Sequence, residues 1–188
     1  MGESQFQGPG LYLRNQLVAI ELSAVHRHDA IVKTLLWNHE AATQTFAATL
    51  AAQPALANAF IALHGDLGAG KTTLVRHLLQ ALGVKGRIKS PTYAVVEPYE
   101  LPALSVWHFD FYRFADPREW EDAGFRDIFA SPGLKLAEWP EKAAAFLPQA
   151  DLDLTLRTQG ESARQVTLQA NTPTGVALLQ ASIEGPAT

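Results

Sequence analysis

Residues 65–72, with the sequence GDLGAGKT, decide the fold of this chain, because they match the pattern G-x-x-x-x-G-K-[ST] in full. The apolar run Phe60–Leu63 precedes them and has the length of a buried parallel strand. Residues 71–82 follow with leucines repeated on one face, and Gly83 comes directly after them, as at the end of an amphipathic helix. Strand, glycine-rich loop and helix in this order predict a phosphate-binding loop. The alternative is a plain glycine turn with an incidental Lys-Thr pair.

The residue types of this loop suit a bound triphosphate. Glycines let successive backbone N–H groups converge on phosphate oxygens, and the N-terminus of the following helix adds about half a positive charge. We expect the Lys71 ammonium between the β- and γ-phosphates, the Thr72 hydroxyl on Mg²⁺ and Thr73 near the α-phosphate. The predicted nucleotide-binding residues of the loop are Asp66, Leu67, Gly68, Ala69, Gly70, Lys71, Thr72 and Thr73.

Two acids and one short polar segment follow at positions where a nucleotide site would need them. Asp110 and Glu138 each end a predicted strand, and the carboxyl ends of parallel strands meet at the ligand edge of such a sheet. The predicted metal ligands are therefore Thr72, Asp110 and Glu138. A solvated acid at a loop edge is the alternative for each carboxylate. Residues 90–93, SPTY, have the position of a nucleotide-sensing switch loop, with a plain Ser-Pro turn as the alternative.

The other patterns predict one mixed α/β domain. We expect a strand over 33–37, a helix over 40–52, a hairpin of 94–99 and 104–109 joined around 100–102, a short helix over 117–123, a strand over 134–137, an antiparallel pair over 152–157 and 165–169, and a closing helix over 175–183. The predicted fold class is α/β, with a P-loop NTPase-like mixed sheet flanked by helices in a single domain. We expect residues 31–188 to form this P-loop domain, and residues 1–30 are interpreted as an N-terminal appendage that is either disordered or a start-site artefact.

Composition narrows the function classes. The 188 residues are 47% hydrophobic and 18% charged, with a net charge of −4 and no cysteine. Thiolate metal sites, disulfides and cysteine nucleophiles are thereby excluded, and the mild acidity argues against a free-standing DNA- or RNA-binding protein. No apolar run is long enough for a clean membrane span, and the first residues do not resemble a signal peptide. We therefore expect a cytoplasmic protein that contacts neither membrane nor DNA.

Four motifs in fixed order resemble one bacterial family. They are GDLGAGKTT at 65–73, SPTY at 90–93, HFDFYR at 108–113, and Glu138-Trp139 followed by Glu141-Lys142. Together they resemble the P-loop ATPase family of tRNA threonylcarbamoyladenosine (t6A) biosynthesis, the TsaE or YjeE family. The similarity runs from about residue 33 to about residue 183, while residues 1–30 have no counterpart in the family and Trp120 replaces a residue that is usually aliphatic.

This resemblance implies weak Mg²⁺-dependent ATP hydrolysis and work in complex with the threonylcarbamoyl-transfer proteins, of the TsaD and TsaB type, with tRNA as an indirect partner. The catalytic residues that it implies, together with the loop, are Lys71, Thr92, Asp110 and Glu138. It also implies a switch or partner role for Ser90, Pro91, Thr92, Tyr93 and Trp139. By the same resemblance Arg164 lies near the nucleotide, and Glu40 and Thr43 lie near its base.

Three other readings stay open at this point. A P-loop small-molecule kinase would need an arginine-rich lid, and the arginines between residues 113 and 126 are scattered. A GTP switch would need an N-K-x-D motif, which the sequence lacks, so ATP is preferred. In a nucleotide-gated assembly factor, ATP would set partner affinity alone.

Among single residues, His108 is expected to pack or cap beside Asp110, and Arg113 to pair with Asp110 or approach phosphate.

Overall fold

A computed structural model describes residues 31–91 and 93–184 of the chain. Its strands are β1 (Ile31–Trp37), β2 (Phe60–His64), β3 (Val96–Leu101), β4 (Leu104–Asp110), β5 (Leu134–Glu138), β6 (Leu152–Gln159) and β7 (Ala163–Ala170). Its α-helices are α1 (Glu40–Ala51), α2 (Lys71–Ala81), α3 (Pro117–Asp122), α4 (Phe125–Ala130) and α5 (Pro173–Glu184), and short 3₁₀ helices cover Pro54–Asn58 and Pro140–Ala143. The interpretation of residues 1–30 as an appendage lies outside the described residues.

The seven strands form one mixed sheet with the order β1-β7-β6-β2-β5-β4-β3. Its four central strands β6, β2, β5 and β4 run parallel to one another, whereas β7 pairs antiparallel with both β6 and β1, and β3 pairs antiparallel with β4. The apolar sequence of β2, FIALH, suits its central place because both of its faces are covered. The predicted α/β class with a mixed sheet in one domain is confirmed.

Successive side chains of a strand point to opposite faces of the sheet, so the hydrophobic core consists of one cluster on each face. Ile61 and Leu63 of β2 pack with α1, α2 and α5, while Phe60 and Ala62 face a second, aromatic cluster beside α3 and α4. Trp120, for which the resemblance predicted a departure from the family pattern, is only 3% exposed in this second cluster. Burial of each large side chain contributes about 1.5–3 kcal/mol, so these contacts hold the helices against the sheet.

One local prediction was wrong, and one helix was missed. The hairpin of β3 and β4 turns at residues 102–103 rather than around 100–102, because Leu101 pairs directly with Leu104. Helix α4 was not predicted; the left-handed backbone of Gly124, with φ +68°, ends α3 and starts this second short helix. No helix among the described residues is long and apolar enough to cross a membrane.

Candidate phosphate-binding site

The predicted loop connects β2 to α2 and depends on glycine. Gly65 and Gly68 have φ values of +128° and +80°, in the left-handed range that other residues adopt rarely. A Cβ atom at Gly65 would collide with the backbone carbonyl oxygen of Leu156 in β6, whereas one at Gly68 would meet no atom within 4 Å. The loop therefore lies against β6 at its first glycine and is open at its tip, where Leu67 is 76% exposed.

Lys71 begins α2 and folds back over the loop. Its Nζ atom donates to the carbonyl oxygens of Gly65 (2.5 Å) and Asp66 (2.9 Å), and lies 3.9 Å from the centre of the Trp139 ring. The side chain is buried, and burial lowers the pKa of Lys71 below its ordinary value although the Glu138 carboxylate acts in the opposite direction. The Lys71 ammonium contacts two uncharged carbonyl oxygens and an aromatic ring but no carboxylate in these three contacts. An anion in the cleft could therefore replace the carbonyls as its hydrogen-bond acceptor.

Parallel pairing of β4 and β5 brings the two predicted acids side by side. Asp110 and Glu138 are register partners, and both are buried. The Thr72 hydroxyl donates to Oε2 of Glu138 at 2.8 Å, while the Ser90 hydroxyl and the Tyr112 backbone N–H donate to Asp110. The structure thus joins the three predicted metal ligands at the N-terminus of α2.

This oxygen set matches the coordination preferences of Mg²⁺. Among the described residues, no three His, Cys, Asp or Glu side chains are grouped so that they alone would hold a metal ion. Mg²⁺ usually takes only one or two carboxylates and completes its shell with water and substrate phosphates. Thr72 and Glu138 next to Asp110 supply that limited set, so the residues present fit a magnesium ion shared with phosphate.

His108 was expected to pack or cap beside Asp110. It is packed, since it is fully buried, but its hydrogen-bond partner is Glu138, with Nε2 2.9 Å from Oε1. The available signal was a histidine on the face of β4 that also carries Val106 and Asp110, where an apolar residue would continue the pattern.

A cleft of about 550 Å³ opens over the loop, and Lys71, Thr72, Asp110 and Glu138 all line it. This volume is typical of a small-molecule site. Trp139 closes one side in the left-handed conformation (φ +57°, ψ +47°), with its ring 5.0 Å from that of Tyr112. The cleft therefore combines an ammonium group, two carboxylates, hydroxyl groups and aromatic rings.

The predicted switch segment borders the cleft. Ser90 lines it, Pro91 is buried next to it, and Tyr93 is 87% exposed with the Arg113 guanidinium 4.8 Å from its ring centre. Arg113 thus has an aromatic partner that neither sequence interpretation named. Thr92, the predicted switch threonine, lies outside the described residues.

The residues suggested for the base side of a nucleotide also come together. A second cavity of about 240 Å³ adjoins the loop, and its lining includes Glu40, Thr43, Thr73 and Arg164. Nε of Arg164 donates to the carbonyl oxygen of Ala69 at 2.9 Å, which ties β7 to the loop. Their placement is compatible with the predicted roles, which stay predictions.

The strand–loop–helix unit, the lysine and the paired acids at the strand ends define a P-loop protein of the NTPase-like class. The family described as "Threonylcarbamoyl adenosine biosynthesis protein TsaE" matches residues 37–166, and the chain belongs to this family. The resemblance read from the four motifs is thereby confirmed.

Individual relatives agree with this assignment. A "tRNA threonylcarbamoyladenosine biosynthesis protein TsaE" of Haemophilus influenzae is 45% identical over 119 residues, which are 63% of this chain and 75% of the relative. A protein of the same name from Bacillus subtilis is 34% identical over 140 residues, covering 74% and 87%. Among solved structures, Bacillus subtilis YdiB superposes with a TM-score of 0.64 at 26% identity, over 82% of this chain and 97% of that one.

Proposed function

We propose that this protein is a Mg²⁺-dependent ATPase subunit required for the formation of t6A at position 37 of tRNAs. It acts in complex with threonylcarbamoyl-transfer proteins of the TsaD and TsaB type. The names of its relatives support the pathway, since they are t6A biosynthesis proteins. The nucleotide part of the proposal is supported by one observation, which is the convergence of Lys71, Thr72 and Glu138 on one cleft.

In this proposal the chain binds the triphosphate by residues that are already in place. The loop N–H groups donate hydrogen bonds to the phosphate oxygens, and the Lys71 ammonium exchanges the carbonyls of Gly65 and Asp66 for phosphate. Thr72 and Glu138, with Asp110 beside them, hold the metal ion. When bound, Mg²⁺ neutralises charge that develops on the phosphoryl group during transfer to water.

Weak turnover by the isolated protein follows from how its nearby arginines are engaged. Arg113 lies against the Tyr93 ring, and Arg164 donates to the carbonyls of Ala69 and Ala163. An arginine that stabilises the transition state is worth about 10³–10⁵ in rate in related chemistry. A partner protein that supplies or frees such a group would therefore accelerate hydrolysis.

The test is ATP hydrolysis by the full chain, with and without purified TsaD- and TsaB-type proteins and tRNA, together with detection of t6A. We expect slow hydrolysis alone, faster hydrolysis in the complete mixture, and no modified base when this chain is omitted. Base formation without this chain would contradict the t6A role. Phosphoryl transfer to an acceptor other than water would favour a small-molecule kinase.

Two buried lysines allow a matched control. Lys71→Ala should abolish hydrolysis, because Lys71 is the one ammonium group of the described residues that reaches the loop carbonyls. Lys135 is equally buried at 4%, bonds the Ser131 carbonyl and lies 5.0 Å from the Trp107 ring, and it does not line the cleft. Lys135→Ala should therefore leave the hydrolysis rate per folded molecule unchanged. Near-normal turnover by Lys71→Ala would refute the proposed phosphate site.

A further inference from the structure

His108 occupies a position in β4 where the fold would accept an apolar side chain. Val106 precedes it on the same face of the strand, and its register partner in β5 is Leu136; both belong to the apolar core. The imidazole has no exposed surface. Burial of a polar imidazole costs free energy unless hydrogen bonds replace those lost to water. The hydrogen bond that His108 makes should therefore explain why a histidine is found here.

That hydrogen bond is to Glu138, and with it each carboxylate oxygen of Glu138 has a hydrogen-bond partner. Oε1 of Glu138 lies 2.9 Å from Nε2 of His108, and Oε2 accepts the Thr72 hydroxyl at 2.8 Å. A carboxylate only accepts hydrogen bonds, so the proton between Nε2 and Oε1 is assigned to Nε2. Nδ1 of His108 is buried and has no hydrogen-bond partner among the described residues. The one hydrogen bond that the ring makes among the described residues is therefore the bond to Oε1 of Glu138.

We propose that His108 is a positioning residue for the metal site. It holds Oε1 of Glu138 on the core side, so that Oε2 stays beside Thr72 at the edge of the cleft. His108 itself does not line the cleft, and it acts on the metal ion only through Glu138. This inference rests on the proposed function, because it needs Glu138 to bind Mg²⁺. Groups that orient a metal-binding carboxylate in this way typically change metal affinity about 10- to 100-fold when removed.

The chain contains a matched control in His77. Its Nε2 also lies 2.9 Å from a glutamate oxygen, Oε1 of Glu40, and its Nδ1 is likewise buried without a partner among the described residues. Glu40 lines the neighbouring cavity on the proposed base side and not the cleft of the paired acids, and its side chain is 62% exposed. An effect on analogue binding through Glu40 would be equal with and without Mg²⁺, so it is distinguished from an effect on the metal site. Loss of this second histidine removes the same type of bond and leaves Glu138 untouched.

The experiment measures binding rather than turnover. MgCl₂ is titrated into full-length protein with a fixed concentration of a fluorescent ADP analogue, starting from EDTA, and the half-saturating Mg²⁺ concentration is recorded. We expect His108→Leu to raise that concentration about 10-fold or more, while analogue binding without Mg²⁺ stays unchanged. His108→Gln, which keeps an N–H donor near the same place, should shift it less than about threefold, and His77→Leu should not shift it.

The outcomes separate this inference from the proposed function. If wild-type protein shows no Mg²⁺-dependent binding, both are overturned. If wild type responds but His108→Leu needs no more Mg²⁺ than His77→Leu, only the inference is overturned, and His108 is a packing residue. An equal loss of binding with and without Mg²⁺ would lead to the same conclusion.

A second measurement covers the case in which His108→Leu does not fold. Long-range ¹H–¹⁵N spectra of the wild-type protein report which ring nitrogen carries hydrogen. We expect hydrogen on Nε2 of His108, as the contact with Glu138 requires. A bare Nε2 would overturn the inference, because it could not donate to the carboxylate.

Discussion

Alanine at Gly65 should destabilise the protein far more than alanine at Gly68, although both substitutions add one methyl group to the same loop. At Gly65 the backbone has φ +128°, and the new Cβ would overlap the Leu156 carbonyl oxygen. Backbone strain costs about 1–3 kcal/mol, and displacement of the β6 backbone about 1–3 kcal/mol more. Alanine also lowers the conformational entropy of the unfolded chain, which offsets about 0.4–1 kcal/mol of this destabilisation. The net loss in the free energy of unfolding is therefore about 3 kcal/mol.

The same reasoning gives a smaller loss at Gly68. Its φ of +80° also disfavours alanine, but the added Cβ meets no atom within 4 Å. Left-handed strain of about 1–2 kcal/mol, less the unfolded-state gain, leaves roughly 1 kcal/mol. For a chain of 188 residues, thermal unfolding should shift down by about 6–12 °C for Gly65→Ala and about 2–4 °C for Gly68→Ala.

Thermal and urea unfolding of the two variants and wild type, without nucleotide, provide the assay. The difference between the variants, about 2 kcal/mol, isolates the close approach of the loop to β6. Equal destabilisation by the two substitutions would refute that contact. It would leave only the common backbone strain.

Three further predictions concern the site and its surroundings. Asp110→Ala and Glu138→Ala should each weaken Mg²⁺-dependent ADP binding in calorimetric titrations, and unchanged metal dependence in both would contradict the paired-acid site. Trp139→Phe should remove most of the tryptophan fluorescence change on ADP binding, because the Trp139 ring lies 3.9 Å from the Lys71 ammonium; a full-sized change would place the reporter elsewhere. The pKa of His64 is raised above its ordinary value of 6.5, chiefly by its hydrogen bond to Asp153. Protonated His64 therefore stabilises the fold fully below about pH 6.5, and this stabilisation is lost as the pH rises through the folded-state pKa. Asp153→Asn should therefore reduce the dependence of the melting temperature on pH in this range. An unchanged dependence would show that the hydrogen bond between His64 and Asp153 does not cause it.

The elements around the loop were predictable because local sequence and final structure agree there. Phe60–Leu63 is apolar throughout, and α2 starts at Lys71 as its leucine spacing predicts. The meeting of Asp110 and Glu138 was also predictable, since it depends only on parallel strands ending at one edge.

Contacts between distant segments could not be predicted in this way. The partner of His108 depends on which acid the β4–β5 register brings near it, and the sequence favoured its neighbour Asp110. The left-handed backbone of Trp139 has no local signature, because residues other than glycine rarely adopt it. Helix α4 has only six residues, and its amphipathic pattern is too short to distinguish from a loop.

The order of the strands has a consequence for synthesis on the ribosome. Strand β2 emerges early, yet its two neighbours β5 and β6 follow much later in the chain. At about 5–20 residues per second, roughly 5–20 s pass between translation of Gly65 and of Leu156, whose carbonyl backs the loop. During that interval the nascent chain lacks the wall that shapes its phosphate-binding turn. The loop can therefore take its final conformation against Leu156 only after β6 has joined the sheet.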